Sequence, residues 1–598
     1  MTKKVWRLFI LILAITGLCA CSSLPNPLNI FTKKGRPVED PKPPPLSPNF
    51  GPNQIEGGPF KDRTADYGLS GIEANHLYAV DFNNDGFTDL VLIPQFYDQP
   101  QFWQYDPKKK KFIKLEYNPF PDKVSATYLA FADFNKDSIL DVLVGTMAQK
   151  TELNLPPMEI FRGEIDARSG KLSYREIQGA FGNSKKYAGA ASLSLLDFDL
   201  DGELDIYLGN WFDFSQKTLP PLSDELLKGK VFKFSNQSDH LENEQYFSRS
   251  TDTFINARPT FATSICDVDQ DGWPDILTCS SGGFHNKLWQ NRPDSGRERF
   301  FKDIAKETNY ASDQDGALST MGGGNNLFAS CADYNNDGIM DIFLGELSHS
   351  YDPPSRDRTS ILTGISGQGV RYNRQELFTT AQGQDRADRR ALWVDFNNDG
   401  LLDLVVENSS FPPNSRLTLM QQEQNGDFVD ISANSGIDIV NPMGVIMLDL
   451  NNDGAMDLLV GQAPIRDTRI AARLYYFENV GHTSGKSLRL HLQGESSNTL
   501  ALGATVILKS KLGKKRAYVD YLLGAQSQNQ EGIHFGLSLG DVPQTVEVHW
   551  PYLPKGQGDE STPLVKRYRV PQMKGNYSEF TLCESGKILL GNKKCSAR

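Results

Sequence analysis

Seven nine-residue segments of this chain place oxygen-bearing side chains at positions one, three, five and nine, the donor set of a hard divalent cation. They begin at Asp81 (DFNNDGFTD), Asp133 (DFNKDSILD), Asp197 (DFDLDGELD), Asp267 (DVDQDGWPD), Asp333 (DYNNDGIMD), Asp395 (DFNNDGLLD) and Asp449 (DLNNDGAMD). Calcium takes about six to eight oxygens and tolerates the irregular cage of a short loop. Up to seven Ca²⁺ ions are therefore expected.

The first loop offers Asp81, Asn83, Asp85 and Asp89, with the Phe87 carbonyl completing the turn. The second offers Asp133, Asn135, Asp137 and Asp141 with the carbonyl of Ile139, and the third Asp197, Asp199, Asp201 and Asp205 with that of Glu203. The fourth offers Asp267, Asp269, Asp271, Asp275 and Trp273, and the fifth Asp333, Asn335, Asp337, Asp341 and Ile339. Asp395, Asn397, Asp399, Asp403 and Leu401 form the sixth set, and Asp449, Asn451, Asp453, Asp457 and Ala455 the seventh. Position six is glycine except in the second loop, where it is Ser138. The backbone must bend there with positive φ, which glycine adopts freely, so the second site is expected to be the weakest.

An EF-hand would need glutamate at position twelve and flanking helices. Position twelve is instead Leu92, Val144, Leu208, Thr278, Leu344, Val406 or Val460, inside strand-like runs. A plain solvated turn would not call for an acid at position nine of every copy, facing a buried strand without a compensating lysine. Counting positions one, three, five and nine, three acids per loop plus Asp199 and Asp269 make 23 of the 74 Asp and Glu residues. Seven divalent ions would turn the formal net charge of −12 into about +2, so the acidity reads as ligand charge and not as the sign of a basic partner. Nothing here suits nucleic acid, and a monomer is expected.

The elements that hold the loops are short. An apolar run leads into each one (LYAV, YLAFA, LSLL, ATSIC, LFASCA, ALWV, VIML) and another leaves it. A third run follows (QFWQYD, MEIFRGE, VFKFSN, NKLWQN, GVRYNR, RLTLMQ, RLYYFEN), and a fourth tends to open Phe-x-Asp. Four strands repeated seven times predict an all-β chain, a seven-bladed β-propeller over 60–481. The seventh repeat lacks its fourth strand, and the missing piece lies upstream at Phe60-Lys61-Asp62. That N-terminal strand is predicted to close the last blade. Beyond the ring, SLRLHLQG, ATVILKS, KRAYVDYL, IHFGL, TVEVHWP, LVKRYRVP and YSEFTLC predict a small β-sandwich.

The loops resemble the FG-GAP/VCBS repeats of integrin α-subunit propellers and bacterial surface proteins. Leu502-Gly503-Ala504-Thr505-Val506, Ile533-His534-Phe535-Gly536-Leu537 and Val546-Glu547-Val548-His549-Trp550-Pro551 resemble the ASPIC/UnbV domain of cartilage-acidic-protein-like proteins, placed over 486–552, with further strands and a tail over 553–598. The resemblance implies a calcium-stabilised adhesion or binding role.

Lys3, Lys4 and Arg7 precede an apolar stretch too short to span a bilayer, so residues 1–21 read as a signal peptide. Its end, Leu18-Cys19-Ala20-Cys21, resembles a bacterial lipobox, with Cys21 as the lipidated residue; the alternative is ordinary cleavage with two incidental cysteines. Ser22 resembles outer-membrane sorting, giving a lipoprotein of the bacterial envelope, periplasmic or surface-exposed. Residues 22–59 form a Pro-rich tether. Cys583 and Cys595 are spaced for a disulfide, whereas Cys266, Cys279 and Cys331 read as small buried apolar residues.

Opposite the loops, the connections hold aromatics and basic residues that read as a ligand face: Trp211, His285, His349, Tyr351, Arg386, Arg389, Arg390 and Arg466. The arginines form an anion patch or are solvated loop residues paired with nearby aspartates. The expected function is a lipid-anchored binding or adhesion scaffold for a glycan or protein, and not an enzyme. The alternatives are a polysaccharide lyase or hydrolase on this face, for which His285, His349 and Tyr351 are the candidates, and an envelope assembly factor.

Overall fold

Each acidic loop joins two strands that are buried on both faces, as their unbroken apolar runs require. In the first copy these are His76–Val80 and Asp89–Ile93, followed by Gln101–Asp106 and Lys111–Lys114 in one antiparallel sheet. The computed structural model describes residues 51–595 except 53–54, 148–157, 183–189, 215–218, 251–252, 295–298, 313–323, 349–357, 379–385, 411–413, 465–466, 482–484 and 555–561. The signal segment with Cys21, most of the tether, His349, Tyr351 and Arg466 thus lie outside the described residues.

The chain is all-β, built mostly from four-stranded antiparallel sheets consistent with propeller blades; the fifth and sixth are joined into one eight-stranded sheet where Leu347 pairs with Ala387. The strands that lead into the later loops are Tyr128–Ala132, Ala190–Leu196, Thr260–Cys266, Asn326–Ala332, Arg386–Val394 and Pro442–Leu448. The last of these sheets takes its outer strand from far upstream. Phe60–Asp62 pairs antiparallel with Arg473–Asn479, Phe60 opposite Asn479. In sheets three and five the third strands are Glu225–Lys230 and Ser360–Gly364. VFKFSN and GVRYNR contribute to the fourth strands instead. Lys230 faces Lys233 across a two-residue turn, and the strand before that turn is only half apolar, so periodicity hides it.

Residues 486–595 form two further four-stranded sheets. One contains Lys486–Gln493 parallel to Tyr577–Cys583, and in the other Thr505–Ser510 pairs with Pro543–His549, which pairs in turn with Val565–Arg569. Leu488, Leu490, Val506, Leu508, Val546 and Val548 share one core. Strands beyond residue 552 are thus integral to both sheets, and Cys583 is bonded to Cys595 with Cα atoms 5.8 Å apart. A second disulfide joins Cys266 to Cys331, Cα–Cα 6.2 Å, linking the inner strands of sheets four and five. The reading of these two as unpaired apolar residues is corrected; adjacent inner strands bring together cysteines that are 65 residues apart in sequence. Cys279 is free and buried.

The C-terminal unit also reaches between the inner strands. Gln528 donates its N–H to Leu77 O (2.9 Å) and accepts from Ala79 N (3.0 Å). Its side-chain amide accepts from Phe131 N (3.1 Å) and donates to Phe131 O (3.2 Å). Asn529 accepts from Met447 N (3.0 Å), Gln530 from Asp449 N (2.7 Å), and Gln526 donates to Ala191 O (3.2 Å). The inner strands are sheet edges, whose unpaired amides must find partners. The amide side chains of the run Gln526-Ser527-Gln528-Asn529-Gln530 supply them.

Candidate metal centres

The seven loops share one internal wiring. The first-position aspartate accepts through Oδ2 from the position-six amide in every copy, from 2.7 Å at Ser138 and Gly202 to 3.1 Å at Gly454. The fifth-position aspartate accepts through Oδ1 from the position-seven amide, as in Phe87 N to Asp85 (2.9 Å) and Leu401 N to Asp399 (2.8 Å). The ninth accepts through Oδ1 from the third strand: Tyr105 N to Asp89, Gly163 to Asp141, Gly229 to Asp205, Asn291 to Asp275, Gly364 to Asp341, Gln422 to Asp403 and Asn479 to Asp457, all at 2.7–2.9 Å. An acid at position nine therefore also staples the loop to its sheet, a role the sequence argument did not foresee.

Position six takes positive φ throughout, 82–93° in the glycines and 67° at Ser138. Position four does the same without glycine: Asn84, Lys136, Leu200, Gln270, Asn336, Asn398 and Asn452 lie at 53–63°. The recurrence of asparagine there was the available signal, since asparagine tolerates the left-handed region.

In the five loops with asparagine at position three, its Nδ2 donates to the fifth-position Oδ2 at 2.8–3.0 Å. Loops three and four carry aspartate there and lack that donor. In loop three the ammonium of Lys228 lies against Asp199 and 3.2 Å from Asp201 Oδ2. In loop four Gln290 donates to Asp269, and Arg299 stands 3.7 Å from Asp271 Oδ2, over the Trp273 ring. Lys228 thus compensates positions three and five of the third loop, while no ion pair to a lysine is found at its ninth-position Asp205 among the described residues. The Glu203 side chain turns away to Val231 N (3.1 Å) and Lys136 (3.6 Å).

The residues fit a divalent ion on two observations. Asp89 Oδ2, Asp199 Oδ1, Asp267 Oδ1 and Asp333 Oδ1 are buried carboxylate oxygens without a hydrogen-bond donor. Among the described residues, Asp197, Asp199 and Asp205, and likewise Asp267, Asp269 and Asp275, bring oxygens within 4.8 Å of one another. Buried unpaired anionic oxygens are costly without a positive partner. Burial, aided by neighbouring carboxylates, pushes Asp141 and Asp341 up to about 8, Asp403 to about 9, and Asp267 and Asp395 to about 7. Asp89, Asp205, Asp275 and Asp457 are raised well above the usual range for the same reason.

The loops are also covered by the chain itself. Thr499 donates to Asp133 (2.9 Å), Lys136 to Ser496 O (2.8 Å) and Lys515 to Gly400 O. Arg489, almost fully buried, approaches Asp449 to 3.9 Å. The C-terminal unit thus brings Arg489 and Lys515 onto the acidic loops.

The predicted ligand face does not assemble as expected. Trp211 is fully buried and donates to Ser281 Oγ (2.8 Å). Arg390 is buried between Glu407 (2.9 Å) and Gln526 Oε1 (2.9 Å), and Arg389 is buried beside it. Arg386 pairs with Asp388 (2.9 Å) and stacks on Phe378. These arginines belong to the strand Arg386–Val394, not to a loop, which takes these three out of the expected anion patch; Arg466 lies outside the described residues. His285 is half-buried, and burial lowers its pKa.

Comparison with known proteins gives a consistent picture. The family described as FG-GAP-like repeat matches residues 81–144, 267–344 and 376–460, and that described as ASPIC and UnbV matches 494–573. Cartilage acidic protein 1 of Homo sapiens is 26% identical over 520 residues, 81% of this chain and 70% of that protein. The Mus musculus protein of the same name is 27% identical over 228 residues, 37% of this chain and 33% of its own length. Among solved structures, the biofilm matrix protein Bap1 of V. cholerae is 8% identical with a TM-score of 0.29, covering 85% of this chain and 90% of that one, a likeness too weak to carry an argument. The chain carries FG-GAP-like repeats and an ASPIC/UnbV domain, and is homologous to cartilage acidic protein 1.

Proposed function

We propose that the chain is a calcium-stabilised binding scaffold of the cell envelope, recognising a glycan or a protein and catalysing no reaction. In this reading the sheets close as a seven-bladed propeller with Phe60–Asp62 completing the last blade, and the two C-terminal sheets form a sandwich seated on the loops. A lipid on Cys21 would hold the molecule at a bacterial outer membrane. The repeats and the ASPIC/UnbV domain support an extracellular binding role.

The observation that carries the metal reading is the set of buried carboxylate oxygens without donors in four of the loops. A bound divalent ion supplies positive charge at those oxygens. The chain's own residues do the rest. The position-six and position-seven amides orient the first and fifth carboxylates, and the third-strand amide fixes the ninth.

Melting the protein with and without a chelator tests this. Chelation is expected to lower the transition and calcium to restore it, while superimposable curves would refute the role of metal. Screening the calcium-loaded protein against a glycan array and envelope proteins then addresses recognition; turnover of an acidic polysaccharide would replace the scaffold reading with an enzymatic one.

A further inference from the structure

The loops differ in one neighbour. The residue just before each third-strand amide donor stands beside the loop that the amide staples. It is neutral in loops one, five and six (Gln104, Thr363, Gln421) and in loop four (Gln290), and acidic in loop seven (Glu478). Loop two has Arg162, whose guanidinium reaches Asp137 Oδ2 at 2.9 Å, an oxygen already served by Asn135. Lys228 in loop three is different in kind, because it contacts two of the loop's ligand carboxylates, Asp199 and Asp201.

We propose that Lys228 competes with the divalent ion for the third loop, making this loop, and not the second with its Ser138, the last of the seven to fill; the inference rests on the calcium reading above. Asp199 adds a negative charge and removes the amide donor that asparagine supplies in five other loops. Lys228 restores both at once, with its nitrogen 3.2 Å from Asp201 Oδ2 and 5.8 Å from the centre of the Phe198 ring. An ammonium is a compact point charge on a flexible stem, able to neutralise carboxylates that an arriving cation needs. The Lys228 side chain is 34% exposed, so it can swing outward and the loop fills at higher calcium instead of never. Loop four is the internal control. It carries the same four aspartates, yet its equivalent neighbour, Gln290, bears no charge.

Native mass spectrometry of the full chain, titrated with calcium, reads the number of ions bound. The native protein is expected to fill six sites first and a seventh only at higher calcium. Lys228→Met should take that last ion at about tenfold lower calcium or less, since ligand charge tunes affinity over such ranges. Lys228→Gln, which keeps a donor and drops the charge, should shift in the same direction and serves where the methionine variant folds poorly. Gln290→Lys should delay one ion in loop four. Unchanged or weakened last-ion uptake in the Lys228 variants would overturn the proposal while leaving the calcium reading intact. A native protein that binds no calcium would remove both.

Discussion

Loops three and four are the two most acidic copies, and they solve the same problem differently. Both replace the usual third-position asparagine by aspartate, and both thereby lose an amide donor on the fifth-position carboxylate. Loop three answers with a lysine set directly against Asp199 and Asp201. Loop four answers with a neutral glutamine on Asp269 and a more distant arginine at 3.7 Å from Asp271; each loop still keeps one buried unserved oxygen, Asp199 Oδ1 in loop three and Asp267 Oδ1 in loop four. The lesson is that ligand count alone does not rank such sites. What stands beside the ligands decides how much positive charge is still wanted.

The broadest way to break this comparison is to remove metal altogether. Chelation should lower the melting temperature by more than about 10 °C, since a single site held at a hundredfold excess over its Kd contributes about 2.7 kcal/mol and several are present. A shift of only a degree or two, read by calorimetry, would mean that the loops are held by their internal hydrogen bonds alone.

Acidity sharpens the same contrast. Asp341, Asp403 and Asp141 have folded pKa values of about 8–9 against an ordinary value of 3.8. Without metal they stabilise the fold most below pH 4, and that contribution is lost as pH rises through 8 to 9. Denaturant melts of the metal-free protein should therefore weaken from pH 5 to pH 8, and saturating calcium should flatten or reverse that slope. A metal-free protein that gains stability over this range would contradict the burial argument.

A paired substitution isolates the two loops. Asp275→Asn should reduce the stability gained on adding calcium by about 2–4 kcal/mol, the scale of an uncompensated buried polar change. Asp205→Asn should reduce it by less, because Lys228 already satisfies part of loop three. Equal losses in calcium-dependent unfolding would erase the distinction. The smallest effect is expected in loop two: Ser138→Gly, at φ 67°, should stabilise by about 1 kcal/mol, a gain that chemical denaturation can resolve.

Much of the architecture was legible because it repeats. The acidic loops fixed the period, and the orphan Phe-x-Asp segment pointed to the pairing of Phe60–Asp62 with Arg473–Asn479. Local cues failed where the partner lies far away in sequence. Lys228 looks like any surface lysine until the third strand of its sheet is placed beside Asp199. Cys266 and Cys331 meet only because neighbouring inner strands run side by side. Arg389 and Arg390 read as loop residues because the strand that holds them begins among charged side chains, where periodicity carries no signal. The run Gln526–Gln530 is polar and unpatterned, so nothing in it announced that its amides would meet backbone instead of water.

That run has a bearing on how the molecule is made. Gln526 meets His76 across 450 positions of chain, and Gln528 binds the inner strands of both the loop-one and the loop-two sheets. At a synthesis rate of about 5–20 residues per second, the earliest sheets wait for tens of seconds before their central amides find a companion. A segment made late is thus the keystone of sheets made early, and a shortened product ending before residue 526 would leave the inner-strand amides of those sheets without their companions.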